Sequence, residues 1–132
     1  MPPTDMYRLP IQDQVWERIR SEFKLPTLDQ VRERLSTLHE DPEPVMQQLV
    51  RVIDEGTYCP GFQFLPDLSP HPVVLGLFRR AMELKIPHNY FALWMMDPCQ
   101  ALQGDRPVDV LDSRREPDLL SALDLTMAEV GG

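Results

Sequence analysis

The run from Tyr90 to Met96 constrains this chain more than any other stretch. Tyr90, Phe91, Ala92, Leu93, Trp94, Met95 and Met96 follow one another without a charge, and the run stops at Asp97-Pro98. A segment apolar on every side is a helix enclosed by protein. It ends there because the residue before a proline is pushed out of the helical region. Other elements must enclose it, and apolar periodicity finds them. Val15, Trp16, Ile19 and Phe23 form one stripe of a helix from Gln12 that stops before Pro26. Thr27 opens a second helix, with Gln30 three residues on completing a capping box and Leu28, Val31, Leu35 and Leu38 on its inner face. Val45, Leu49, Val52 and Ile53 align on a third, Val45 to Glu55, with Gly56 as its left-handed terminator. Pro72 opens a fourth over residues 73–84, with Ser69 or His71 as its cap and Arg79, Arg80 and Lys85 as a solvated basic edge. A last helix starts near Pro117 and runs toward Gly131-Gly132.

Turn chemistry fills the gaps. Phe62-Gln63-Phe64 alternates aromatic, polar and aromatic between Pro60-Gly61 and Pro66-Asp67, which predicts a short strand paired with Thr57-Tyr58 in a hairpin over residues 57–64. In the run Leu102 to Pro107, Gly104 supplies a positive φ and Pro107 opens a further helical turn, Val108 to Leu111. The expected fold is mainly α: a compact bundle of six or so short helices with one small hairpin. Residues 1–55 form an N-terminal helical region and residues 56–132 a second segment, packed as one unit. Phe62, Phe64, Trp94, Leu102, Pro107 and Leu111 are the expected core of the second segment. Residues 1–10, with three prolines and no periodicity, read as an extended arm.

Charge narrows the function. Residues 1–55 carry 7 Lys and Arg against 11 Asp and Glu, and residues 56–132 carry 6 against 10, so each segment is net −4 and the chain −8. That field opposes the phosphate backbone of nucleic acid, so DNA binding is expected to be weak or to require a complex. Cys59 and Cys99 are 40 residues apart with no metal-ligand spacing. His39, His71 and His88 fall on predicted loops, and no phosphate loop, nucleophile elbow or zinc-protease motif is present. The expectation is a reduced, cytoplasmic binding module without catalysis, cofactor or metal. No segment approaches the roughly 20 apolar residues of a membrane span, and the N-terminus has no signal-peptide pattern.

The order PGFQF, HPVVLGLFRRAMEL, ALWMMDPCQAL and GDRPVDVLD resembles the toxin-binding domain of the Xre/MbcA/ParS antitoxin family. Members carry a "fPaFQF" hairpin, a Trp- and Pro-containing run that closes on Arg, Pro and an acid, and a final helix. The matching positions are Pro60, Phe62, Gln63, Phe64, Trp94, Pro98, Leu102, Gly104, Arg106, Pro107, Asp109 and Leu111, over about residues 56–125. Gln103 stands where the family usually has Gly, and no clear helix-turn-helix precedes the match. The resemblance implies an antitoxin that caps a RES-domain toxin, an NAD-degrading enzyme, as a homodimer or as a hetero-oligomer with it. The partner-binding residues it implies are Asp105, Arg106 and Asp109 with Leu119, Leu123, Met127 and Glu129 of the last helix. On the residues alone, Arg106 equally suits a pin for its own turn, and Leu119, Leu123 and Met127 equally suit a core.

Two other functions stay open at this point. The helices over residues 27–55 suit either a structural or dimerising bundle or a divergent DNA-binding unit of a transcriptional regulator. An acidic inhibitor of a nucleic-acid enzyme, imitating phosphates, is the third reading.

Overall fold

The computed structural model describes residues 13–53 and 56–131, with side chains from Gln14 to Thr126. The arm expected over residues 1–10 lies outside the described residues. Six α-helices are present among the described residues: α1 (Asp13–Glu22), α2 (Leu28–Ser36), α3 (Glu43–Met46), α4 (Pro72–Glu83), α5 (His88–Met96) and α6 (Glu116–Gly131). A two-stranded antiparallel hairpin, β1 (Val52–Ile53) and β2 (Thr57–Tyr58), pairs Val52 with Tyr58 and Ile53 with Thr57. The chain is therefore mainly α with one small hairpin.

The helix starts follow local chemistry. The Thr27 hydroxyl accepts from Gln30 N–H (3.1 Å) while the Gln30 side chain accepts from Thr27 N–H (2.9 Å), a complete capping box. His71, not Ser69, caps α4, its Nδ1 accepting from Val73 N–H (3.2 Å) ahead of Pro72. α5 is enclosed as its composition demands, with Phe91, Ala92, Trp94, Met95 and Met96 all buried.

The third expected helix is corrected. α3 is a single turn, residues 50–51 are irregular and Val52–Ile53 is a strand, while residues 54–55 of the expected helix lie outside those described. The cause is a set of side chains that bond this backbone from outside. Gln63 Oε1 accepts from Val50 N–H (2.7 Å) and its Nε2 donates to Val50 C=O (3.0 Å) and Pro60 C=O (3.0 Å). His88 Nδ1 accepts from Arg51 N–H (2.9 Å), and the Asn89 amide both accepts from Ile53 N–H and donates to Ile53 C=O, each at 2.9 Å. Carboxamides at residues 63 and 89 thus act as one-residue strands, satisfying groups a helix would have paired internally. Burial of Val50 and Val52 with Ile53 64% exposed is the matching side-chain pattern.

The hairpin position is corrected for the same reason. Thr57-Tyr58 pairs with residues 52–53, and Gly61–Gln63 forms a 3₁₀ turn. Phe62 and Gln63 both point inward, Gln63 only 2% exposed, so the aromatic-polar-aromatic alternation marks a buried amide clamp and not a half-buried strand. Gly61 is required by close approach: its N–H donates to Lys24 C=O (3.0 Å), and a Cβ there would overlap the Phe23 carbonyl oxygen.

Two apolar clusters form the core. The larger gathers Val15, Trp16 and Ile19 of α1 with Val52, Phe62, Leu77, Phe91, Met95, Leu119 and Leu123; the smaller joins Val31, Leu35, Met46, Leu49 and Cys59. Each draws on residues before and after Gly56. Phe62, Trp94, Leu102 and Pro107 are buried, while Phe64 and Leu111 are half-buried against the smaller and larger cluster respectively. Trp94 keeps its indole N–H satisfied by donating to Thr126 Oγ1 (3.1 Å), which ties α5 to α6.

Candidate partner-binding site

The loop leaving α5 is built to hold a fixed shape. Cys99 N–H donates to Asp105 C=O (2.9 Å) and Gly104 N–H to Cys99 C=O (3.0 Å), closing the segment on itself above the buried Leu102. Both residues at its tip are left-handed, Gln103 at φ 61° and Gly104 at φ 90°. Gly104 tolerates this freely; Gln103 carries a Cβ and is strained. Pro107–Asp109 follows as a 3₁₀ turn, beginning one residue and ending two residues earlier than the helical turn expected over Val108–Leu111.

Arg106 leaves this loop and is held by two carboxylates. It donates to both oxygens of Asp109 (2.7 and 2.9 Å) and to both oxygens of Glu22 at the end of α1 (2.7 and 3.0 Å). Its side chain is 19% exposed. Hydrogen bonding from this guanidinium holds the Glu22 and Asp109 carboxyls below their ordinary range, and the two acids in turn raise Arg106 further. Arg106 is thus a pin between α1 and the loop, through carboxylates and not through helix carbonyls. Asp105 is exposed beside it with no ion pair among the described residues.

The last helix divides into two faces. Leu119 and Leu123, expected either as partner contacts or as core, are buried in the core at 0% and 1% exposed. The side chains of Met127 and Glu129 lie outside those described. Leu125, off the Leu119–Leu123 stripe, is 56% exposed. It borders a hollow of about 370 Å³ whose wall includes Leu93, Trp94, Pro98, Ala122 and Thr126. Pro98 to Ala101 also line that hollow, and Cys99 N–H bonds Asp105 C=O, which ties the wall of the hollow to the start of the Asp105–Asp109 loop. Arg80 of α4 donates to Asp124 (2.9 Å) and fixes α6 from its other side.

Sequence reasoning missed Glu22 and Leu125. Glu22 is 84 residues from Arg106 and gave no signal; Leu125 lies outside the i, i+4 stripe, as Leu120 does, and spacing alone does not single it out. Among the described residues no group of three or more His, Cys, Asp or Glu is arranged to hold a metal ion, and no helix is long and apolar enough to cross a membrane. Burial pushes the Cys59 thiol up to about 11, away from the thiolate that nucleophilic chemistry needs. No family model matches this chain, and no curated protein or solved structure is significantly similar to it.

Proposed function

We propose that this chain is a non-enzymatic, antitoxin-like protein that binds a RES-type NAD-degrading enzyme and occludes its active-site entrance, as a hetero-oligomer with it. The observation that carries the reading is the ordered run of motif residues from Pro60 to Leu111. The tip at residues 103–104 adds support, because it adopts two successive positive φ angles where the family pattern favours glycine. The surface offered to the enzyme is the Asp105–Asp109 loop with the exposed side of α6 around Leu125. Asp105 and the outer edge of Asp109 meet the cationic groups such an enzyme keeps for dinucleotide phosphates, and Leu125 supplies an apolar contact.

The absence of a clear helix-turn-helix before the match has a counterpart in the fold. The second DNA-reading helix required of a regulator has no counterpart among the described residues of 43–53, where the helix Glu43–Met46 has four residues. Arg51 in this segment donates to Met46 C=O (2.7 Å).

Co-expression with the product of the neighbouring reading frame tests the proposal. The expected result is a RES-domain enzyme that co-purifies with this chain and leaves cellular NAD intact, with Asp105→Lys plus Leu125→Asp releasing it. A neighbouring product of another class, or a RES enzyme that neither co-purifies nor is restrained, rejects it.

A further inference from the structure

We infer that α1 belongs to the partner-binding unit, with Glu22 as a positioning residue that holds Arg106 away from the acids the loop offers, an assignment that rests on the surface proposed above. Arg106 divides its donors between two carboxylates: Nε and one Nη2 bond go to Asp109, while Nη1 and the other Nη2 bond go to Glu22. Glu22 thus takes the end of the guanidinium that Asp109 leaves free. Its carboxylate is a fixed post, because the chain is anchored on both sides of it. Ile19, one turn earlier on α1, is buried, and its carbonyl accepts from Phe23 N–H (2.9 Å). Directly after Glu22, Phe23 meets Phe62 edge to face with ring centres 6.1 Å apart, and Lys24 C=O accepts from Gly61 N–H (3.0 Å). Glu22 therefore moves with the core and not with the loop it restrains. Without that post the two Nη groups turn to other carboxylates of the loop, the outer edge of Asp109 and the neighbouring Asp105, which are the two acids proposed to meet the enzyme's cations. Arg18, a turn back on α1, also attracts Glu22 and is the same in every variant below.

Glu22→Ala and Arg106→Met are made singly and together in the full chain. In the free protein, Glu22→Ala should shift the Nε–H resonance of Arg106 and the backbone amides of Asp105 and Asp109, with the melting temperature as a control on folding. With a purified RES-domain enzyme, Glu22→Ala should speed dissociation about fivefold or more at physiological salt, and should leave dissociation nearly unchanged once Arg106→Met is present. Glu22→Gln, which keeps one acceptor for Arg106, should fall between wild type and Glu22→Ala. Loss of one negative charge by itself acts on association, in both backgrounds, and fades as salt is raised. Unmoved resonances, a dissociation rate that Glu22→Ala does not change, or an acceleration of the same size in the Arg106→Met background would each overturn the inference. An enzyme that wild type does not bind rejects the proposed function instead, and the spectra of the free protein then decide whether Glu22 sets Arg106.

Discussion

Gln63→Leu removes the amide clamp on residues 50 and 60 while keeping nearly the same volume, and it isolates the contribution of hydrogen bonding at a site only 2% exposed. Wild-type Gln63 makes three bonds, to Val50 N–H, Val50 C=O and Pro60 C=O. Pro60 C=O keeps a second donor, the Gln63 backbone N–H (3.4 Å), so the variant orphans the two Val50 groups. Each buried orphan costs about 1–3 kcal/mol, giving roughly 2–6 kcal/mol in all, a large part of a fold worth ~5–15 kcal/mol. Urea denaturation followed by far-ultraviolet circular dichroism should show the midpoint fall with an unchanged slope. Gln63→Glu provides the internal check. It loses the donors and sets a charge beside two carbonyls, so its carboxyl is driven to the protonated form in the fold. The folded state then binds the extra proton, and relative to wild type this variant should regain stability as pH falls, whereas Gln63→Leu should not. A Gln63→Leu midpoint within about 1 kcal/mol of wild type would refute the clamp.

Other outcomes follow from the same geometry. Burial lowers the proton affinity of His88, with Arg51 adding to it, and burial alone lowers that of His71. Because both are depressed in the fold, their stabilising effect is complete above the ordinary pKa of about 6.5 and is lost as pH falls through the folded values. Wild type should weaken between about pH 7 and pH 5, and His88→Gln should show a shallower slope by urea titration. Gln103→Gly should raise stability by about 0.5–1 kcal/mol, read as a higher melting temperature, since it relieves a left-handed side chain. Gly61→Ala should cost at least ~2 kcal/mol by urea denaturation, because the obstruction is the backbone at Phe23 and cannot swing aside. Iodoacetamide should modify half-buried Cys99 well before Cys59, as mass spectrometry of the native protein would register.

What the sequence disclosed was whatever depends on neighbours within a turn or two. The Thr27–Gln30 box, the Pro72 start, the stop at Asp97-Pro98 and the positive φ at Gly104 are all local, and each is present. Residues 50–53 misled because their partners sit elsewhere: Gln63 is 13 residues on, and His88 and Asn89 are 37 and 36 residues from the backbone they bond. The β-branched pair Val52-Ile53 beside Val50 was a strand signal that helical periodicity overrode. The site was legible in part. Arg106 and Asp109 stood out from the motif, but the Glu22 end of the pin is set by tertiary packing of α1. Spacing put Leu119 and Leu123 on one face of α6 without saying whether that face turned inward.

The central claim rests on occlusion of an enzyme, and one titration reads it. A purified RES-domain enzyme, the partner proposed above, is mixed with increasing amounts of the protein while NAD loss is followed by absorbance or mass spectrometry. The account predicts that NAD consumption falls to background at a stoichiometric ratio and returns when Asp105→Lys with Leu125→Asp replaces the wild type. Consumption that continues at its full rate in the presence of excess folded protein would contradict it.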